Sequence, residues 1–204
     1  MNKAQAREID RFSYLNSKTK NRIVLIQEKN PEQYKTIFGQ VKEAEELMKD
    51  IYNSKEINEK LIRKYLFKID SLVEYFESLK KEGFNFSRLI KGLKTSKKLI
   101  VGSVLDELNS KMHLALSECK SHAYDQRNQW YDAKNGAGQS KAYEGARKLI
   151  ATNPNLLMAN RLVDLLESMG VEDHILTRAK AIAKKIDQSL KGRSIGEIAS
   201  KLEK

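Results

Sequence analysis

The 204-residue chain is poor in the residues that punctuate strand-rich folds: two prolines, ten glycines and one cysteine. With proline confined to Pro31 and Pro154, an architecture of many short strands and tight turns is disfavoured. The lone Cys119 cannot close a disulfide within the chain and fits a reducing compartment. Long hydrophobic runs are missing too. The stretch LIVGSVL at 99–105 is far shorter than the roughly 20 apolar residues that cross a bilayer. The opening MNKAQAREIDRF carries acids where a secretory leader would carry an apolar centre. These absences predict a soluble, cytoplasmic protein with no membrane association, although export by a signal-less route would leave the same sequence.

Acidic residues are also in deficit, 27 against 38 lysines and arginines, for a formal charge of +11. An excess of that size concerns partners rather than fold: phosphate polymers, an anionic membrane surface or an acidic protein. The hydrophobic fraction of 40% argues against disorder, and 32% charged residues suit exposed, charge-laced helices.

What is present is helical periodicity. Over Thr95–Lys134, Val101, Leu105, Leu108, Met112, Ala115, Cys119 and His122 recur at alternating steps of four and three, one stripe along a helix. At 1.5 Å per residue that helix would span roughly 60 Å. Asn30-Pro31-Glu32-Gln33 reads as a helix start, followed by Tyr34, Ile37, Val41, Ala44, Met48 and Ile51. Asn53-Ser54-Lys55-Glu56 offers a capping box for a helix to about residue 82, striped by Ile62, Leu66, Ile69, Val73 and Phe76 and widened by Tyr65, Leu72 and Leu79. Gly83 suits its left-handed cap.

Residues 3–15 form a weak amphipathic segment around Ile9, Phe12 and Leu15, 16–21 a loop, and Ile23–Ile26 an apolar run read as helix. Between Gly83 and Ser96 the pattern supports only a short helix from Ser87 to about Leu93. NGAG at 135–138 is the most loop-like stretch. Beyond it Ser140 caps a helix to about Thr152, Asn153-Pro154 opens one through Met169 ended by Gly170, and Leu176, Ala179, Ala183, Ile186 and Leu190 stripe the next. Ser194-Ile195-Gly196-Glu197 is a capping box for a short terminal helix. The expected fold is all-α: about eight helices, with a central helix of about 40 residues joining an N-terminal bundle to a smaller C-terminal helical group. The expected boundaries are 1–94, 95–138 and 139–204.

The sharpest local feature is basic. From residue 80 to 98, Lys80, Lys81, Arg88, Lys91, Lys94, Lys97 and Lys98 face one acid, Glu82, with Phe84 and Phe86 interleaved. Cations near phosphates gain affinity by releasing counterions, and aromatic faces stack on unpaired bases. The plainer reading makes this a solvated junction with both phenylalanines packed beneath it, and for the phenylalanines that reading is preferred. A second basic region holds Lys184, Lys185, Lys191 and Arg193. Residues 162–182 and 194–202 each resemble part of a helix-turn-helix motif. The first would open its recognition helix with Glu172 and Asp173, which phosphates repel, and the second stops before a recognition helix could form. Two antiparallel helices joined at Gly170 account for the first as well.

Catalytic constellations fare worse. GAGQSKA at 136–142 lacks the spacing and the preceding strand of a phosphate-binding loop. His113 and His122 point to nearly opposite faces of one helix, and Glu118, Cys119 and His122 are too few and too local for a zinc site. Cys119 with His122 is more simply core packing than a thiolate pair. Asp106/Glu107 and Glu45/Glu46 diverge on their helices. Tyr124, Trp130 and Tyr131 cluster where the long seam turns polar and are candidate protein-contact residues.

The expectation is a non-enzymatic protein without cofactor or metal. Its first reading is a nucleic-acid-binding accessory factor, in replication, transcription or a mobile-element or phage function, with DNA or RNA as partner. The alternative is a protein–protein assembly factor, such as a scaffold, capsid-assembly protein, adaptor or chaperone, acting on a protein partner or as a homo-oligomer through helix packing.

Overall fold

A computed structural model describes residues 31–54, 57–81 and 86–203. The expectations for residues 3–26, for the Asn30 and Gly83 caps and for Phe84 lie outside them. The described residues form seven helices and no strand: α1 (Pro31–Asn53), α2 (Glu59–Lys81), α3 (Ser87–Asp132), α4 (Gly136–Ala151), α5 (Pro154–Ser168), α6 (His174–Leu190) and α7 (Ile195–Glu203). The protein is all-α with one dominant long helix. The chain divides into two compact units, residues 1–103 and 104–204, and α3 contributes to both.

In the first unit α1 buries Ala44, Leu47 and Met48, and α2 buries Ile62, Tyr65, Leu66, Ile69, Leu72, Phe76 and Leu79. The wide stripe expected of α2 is therefore its core face, with Val73 half-buried at its margin. Lys68 of α2 ties back to Glu43 of α1 at 2.6 Å, and this hydrogen bond holds the Glu43 carboxyl below its ordinary range. Helix α2 opens later than its first capping signal. Asn58, not the Asn53–Glu56 box, accepts from the Leu61 amide at 3.1 Å. The later start puts Glu59 at the positive end of the helix dipole and sets Ile57 and Ile62 at staple positions around the cap.

The expected separation of a short helix ending near Leu93 from the long helix starting at Thr95 is also absent. Helix α3 runs without interruption from Ser87 for 46 residues. No proline falls here, Gly92 costs only about 1 kcal/mol relative to alanine, and Leu89, Ile90, Leu93 and Ile100 keep the buried face in register. Ser96, the one polar residue on that face, is satisfied twice. It accepts from the buried Tyr65 hydroxyl at 2.8 Å and donates to the Leu93 carbonyl at 2.8 Å.

In the second unit α3 buries Val104, Leu105, Leu108, Met112, Ala115, Cys119 and Ala123. Five of the seven stripe positions are thus core, while Val101 and His122 are half-buried and Ala123 closes the stripe instead of His122. Helix α4 starts earlier than expected. Asn135 accepts from the Gly138 amide at 2.9 Å, so the glycine-rich stretch is a cap and first turn, and Ser140 lies inside the helix. Gly170 ends α5 with φ +65, a left-handed conformation that costs an L side chain roughly 1–2 kcal/mol. Asp173 then caps α6, and Ser194 caps α7 by accepting from the Glu197 amide at 3.2 Å, as the capping box predicts, while the Glu197 carboxylate reaches back one residue further, to the Arg193 amide at 2.8 Å. Gly192, between α6 and α7, sits so close to Ile198 and the Ser189 carbonyl that a Cβ would meet both at 3.1 Å, and its carbonyl accepts from Tyr143 of α4 at 2.7 Å.

Candidate nucleic-acid interface

The basic stretch of the first unit divides into three groups once its partners are visible. Lys94 and Lys97 reach across to α2, Lys94 to Glu77 at 2.7 Å and Lys97 to both oxygens of Asp70 at 2.7 and 2.8 Å. Their charge is spent on packing α3 against α2. Arg88, Lys91 and Lys98 are exposed and have no acidic partner among the described residues. On a helix turning about 100° per residue these three fall within about 80° of one another, over a rise of about 15 Å. Lys80 and Lys81 close α2.

Lys91, Lys94 and Lys98 also edge an open cleft of about 740 Å³, lined besides by Glu77, Ser87, Ile90 and Thr95. Its one lining carboxylate is engaged by Lys94, so Lys91 and Lys98 present unbalanced positive charge at its rim, with the largely buried Ile90 contributing to its wall. That arrangement suits an anionic ligand with some apolar surface. Phe86 takes no part in it: it is buried, with its ring 4.9 Å from that of Phe76.

One aromatic escaped the sequence reading. Phe67 of α2 is 77% exposed, and Lys60, Arg63 and Lys64 lie on the turns preceding it. Its signal was positional, since it falls out of the three-and-four stripe between Leu66 and Ile69, where a phenylalanine gains nothing from the core.

The C-terminal cations do not assemble into a comparable surface. Lys191 pairs with Asp187 at 3.0 Å, and Lys180 pairs with Glu167. Lys184 and Lys185 are successive and diverge by about 100°. Arg193 is exposed, with its backbone amide donating to Glu197 at 2.8 Å. Of the two acids that argued against a recognition helix, Asp173 is spent capping α6, accepting from the Ile175 amide at 2.7 Å, while Glu172 is exposed.

On α3, Tyr124 and Tyr131 are exposed at 41% and 63%, and Trp130 is half-buried with its ring edge-on to Tyr131 at 5.1 Å. The Arg127 guanidinium lies 5.6 Å from the centre of the Tyr131 ring. Cys119 is fully buried, and burial, together with the neighbouring Glu118 charge, pushes its thiol up to about 11, so it is protonated at neutral pH. Glu118 is itself engaged by the Asn155 and Asn153 side-chain amides at 2.8–3.1 Å, which hold its carboxyl below the ordinary range. Among the described residues no group of three or more His, Cys, Asp or Glu side chains is placed to hold a metal ion, and no helix is long and apolar enough to cross a membrane.

No protein-family model, characterised protein or solved structure matches the chain.

Proposed function

We propose that the protein is a non-catalytic nucleic-acid-binding accessory factor that engages a phosphate backbone through the outer face of the first turns of α3. The observation that supports this is the alignment of Arg88, Lys91 and Lys98 beside a lysine-edged cleft whose one lining carboxylate, Glu77, is engaged by Lys94. A rise of about 15 Å matches roughly four phosphates along one strand of duplex. Phe67, exposed among Lys60, Arg63 and Lys64, offers a face on which an unpaired base can stack. Net charge supports the same placement, because residues 1–103 hold 22 cations and 14 acids while residues 104–204 hold 16 and 13. The protein therefore acts in replication, transcription or maintenance of a mobile element by holding nucleic acid rather than by altering it.

The test is binding to generic duplex and single-stranded DNA or RNA across a salt series. The expected result is measurable affinity at low salt, falling linearly with the logarithm of salt concentration. Reversing Arg88, Lys91 and Lys98 together to glutamate should abolish binding with helicity unchanged. Neutralising them to glutamine should reduce the salt slope by roughly 2.7, about 0.9 for each phosphate no longer neutralised. Absence of binding at low salt, or an affinity indifferent to salt, overturns the reading. Phe67→Ala should weaken single-strand binding roughly fivefold or more and leave duplex binding almost unchanged.

A second reading, a protein–protein assembly factor, is favoured by a different observation: the solvent-facing Tyr124 and Tyr131 on α3, residue types that commonly anchor interfaces.

A further inference from the structure

The outer face of α3 in the second unit carries a second seam, opposite the buried one. Leu114, Ser117, Ser121, Tyr124, Asn128 and Tyr131 follow alternating steps of three and four and are all exposed, Leu114 to 47%. They occupy positions a and d of a heptad pattern over almost three heptads, whereas the core residues Met112, Ala115, Cys119 and Ala123 occupy b, c and f. The steps of three and four follow from the shared helix face, and Leu114, Tyr124 and Tyr131 are its exposed large apolar members.

The flanking charges name the occupant. With Leu114 at a, the g positions are Asp106, His113, Lys120 and Arg127, and the e positions five residues further on are Lys111, Glu118, Asp125 and Asp132. In a parallel two-stranded coil each g residue faces the e residue five positions on in the partner helix. The four pairs are then Asp106 with Lys111, His113 with Glu118, Lys120 with Asp125 and Arg127 with Asp132, opposite in sign in the three always-charged pairs and also in the histidine pair when His113 is protonated. An antiparallel coil sets g against g and e against e. That would bring Lys120 towards Arg127 and Asp125 towards Asp132, like against like. Asn128 at an a position adds the polar layer that fixes register in parallel dimers at a cost in stability.

We propose that the exposed seam of α3 from Leu114 to Tyr131 pairs with the same seam of a second copy of this chain, in parallel and in register. The assignment rests on the reading of Tyr124 and Tyr131 as contact residues and is independent of the basic cleft. Lys120–Asp125 and Arg127–Asp132 are its specificity pairs. Glu118 is already hydrogen-bonded to Asn153 and Asn155, and Lys111 lies 3.6 Å from Glu107, so the two N-terminal pairs contribute less.

The test uses the full chain and sedimentation equilibrium over a concentration series. The wild type should be dimeric at the upper concentrations. Lys120→Asp with Arg127→Asp, and separately Asp125→Lys with Asp132→Lys, should each raise the dissociation constant at least about tenfold through repulsion along both sides of the seam. Mixing the two variants should restore association as a heterodimer. Orientation is read by oxidising Ser121→Cys and Asn128→Cys in separate samples, since both positions face their own copies only in the parallel arrangement, an antiparallel pair bringing together at most the one at its twofold axis, and Cys119 is buried. A monomer at all concentrations overturns the proposal. So does a dimer that ignores both charge reversals, one whose cysteines fail to cross-link, or a monomer that pairs only with a different protein. Both variants leave Arg88, Lys91 and Lys98 intact, so nucleic-acid binding and self-pairing succeed or fail separately.

Discussion

Asn153 shows how much one side chain can hold. It is 2% exposed, its carbonyl oxygen accepts from the Leu156 amide to cap α5, and its amide donates to Glu118 on α3. Replacing it by alanine removes a cap worth about 1–2 kcal/mol and takes a donor from a carboxylate. Denaturant unfolding of Asn153→Ala should therefore show a loss of at least about 1 kcal/mol. Glu118 makes the same junction sensitive to acid. Its folded pKa is lowered below the ordinary value of 4.5, so its contribution is complete above that value and is lost as pH falls through the lowered one. Thermal melts of wild type and Glu118→Gln should diverge at neutral pH and converge in acid. A difference independent of pH would refute a role for the charge. In the first unit the counterpart is Tyr65, whose hydroxyl is pushed up to about 12 by burial and donates to Ser96. Tyr65→Phe should cost about 1 kcal/mol, because Ser96 keeps its bond to the Leu93 carbonyl.

At the scale of the element, the sequence was legible wherever an apolar stripe and a cap agreed. The stripes of α2 and α3, the Asn153-Pro154 start, the Gly170 end and the capping box of α7 could each be read from residue types. Two of the misses share a cause: several residues could perform the same local task. Asn53, Ser54 and Asn58 all suit a cap, and the choice fell to the one that keeps Ile57 and Ile62 in staple register. Asn135 and Ser140 competed in the same way for α4. The helix start at Ser87 was read correctly, but its continuity with the long helix was obscured because the cations there surround few apolar residues, yet Leu89, Ile90 and Leu93 suffice once α2 covers them. Gly170 gives this scale its own test. Gly170→Ala should destabilise by roughly 1–2 kcal/mol through the left-handed backbone alone, because no neighbouring atom crowds the site.

Over the whole molecule, net charge was readable and its division was not. A count of lysines cannot tell Lys94 and Lys97, which spend their charge on Glu77 and Asp70, from Lys91 and Lys98 on the same helix, because the pairing depends on which face of α2 they meet. The structure consequently redirects mutagenesis: reversing Lys94 or Lys97 would set carboxylate against carboxylate and confuse lost binding with lost packing. It also ranks the two basic regions. Substituting Lys184, Lys185, Lys191 and Arg193 with glutamine should weaken nucleic-acid binding less than the same change at Arg88, Lys91 and Lys98, as measured by fluorescence anisotropy at one fixed salt concentration.

The solitary thiol gives the molecule a clock. Cys119 is sealed and protonated, so a thiol reagent can reach it only when residues 104–204 open. Its labelling rate, followed against reagent concentration, reads the opening frequency where it saturates and the population of opened chain where it does not. The measurement needs no engineered probe. It turns a sealed thiol into a direct reporter of motion.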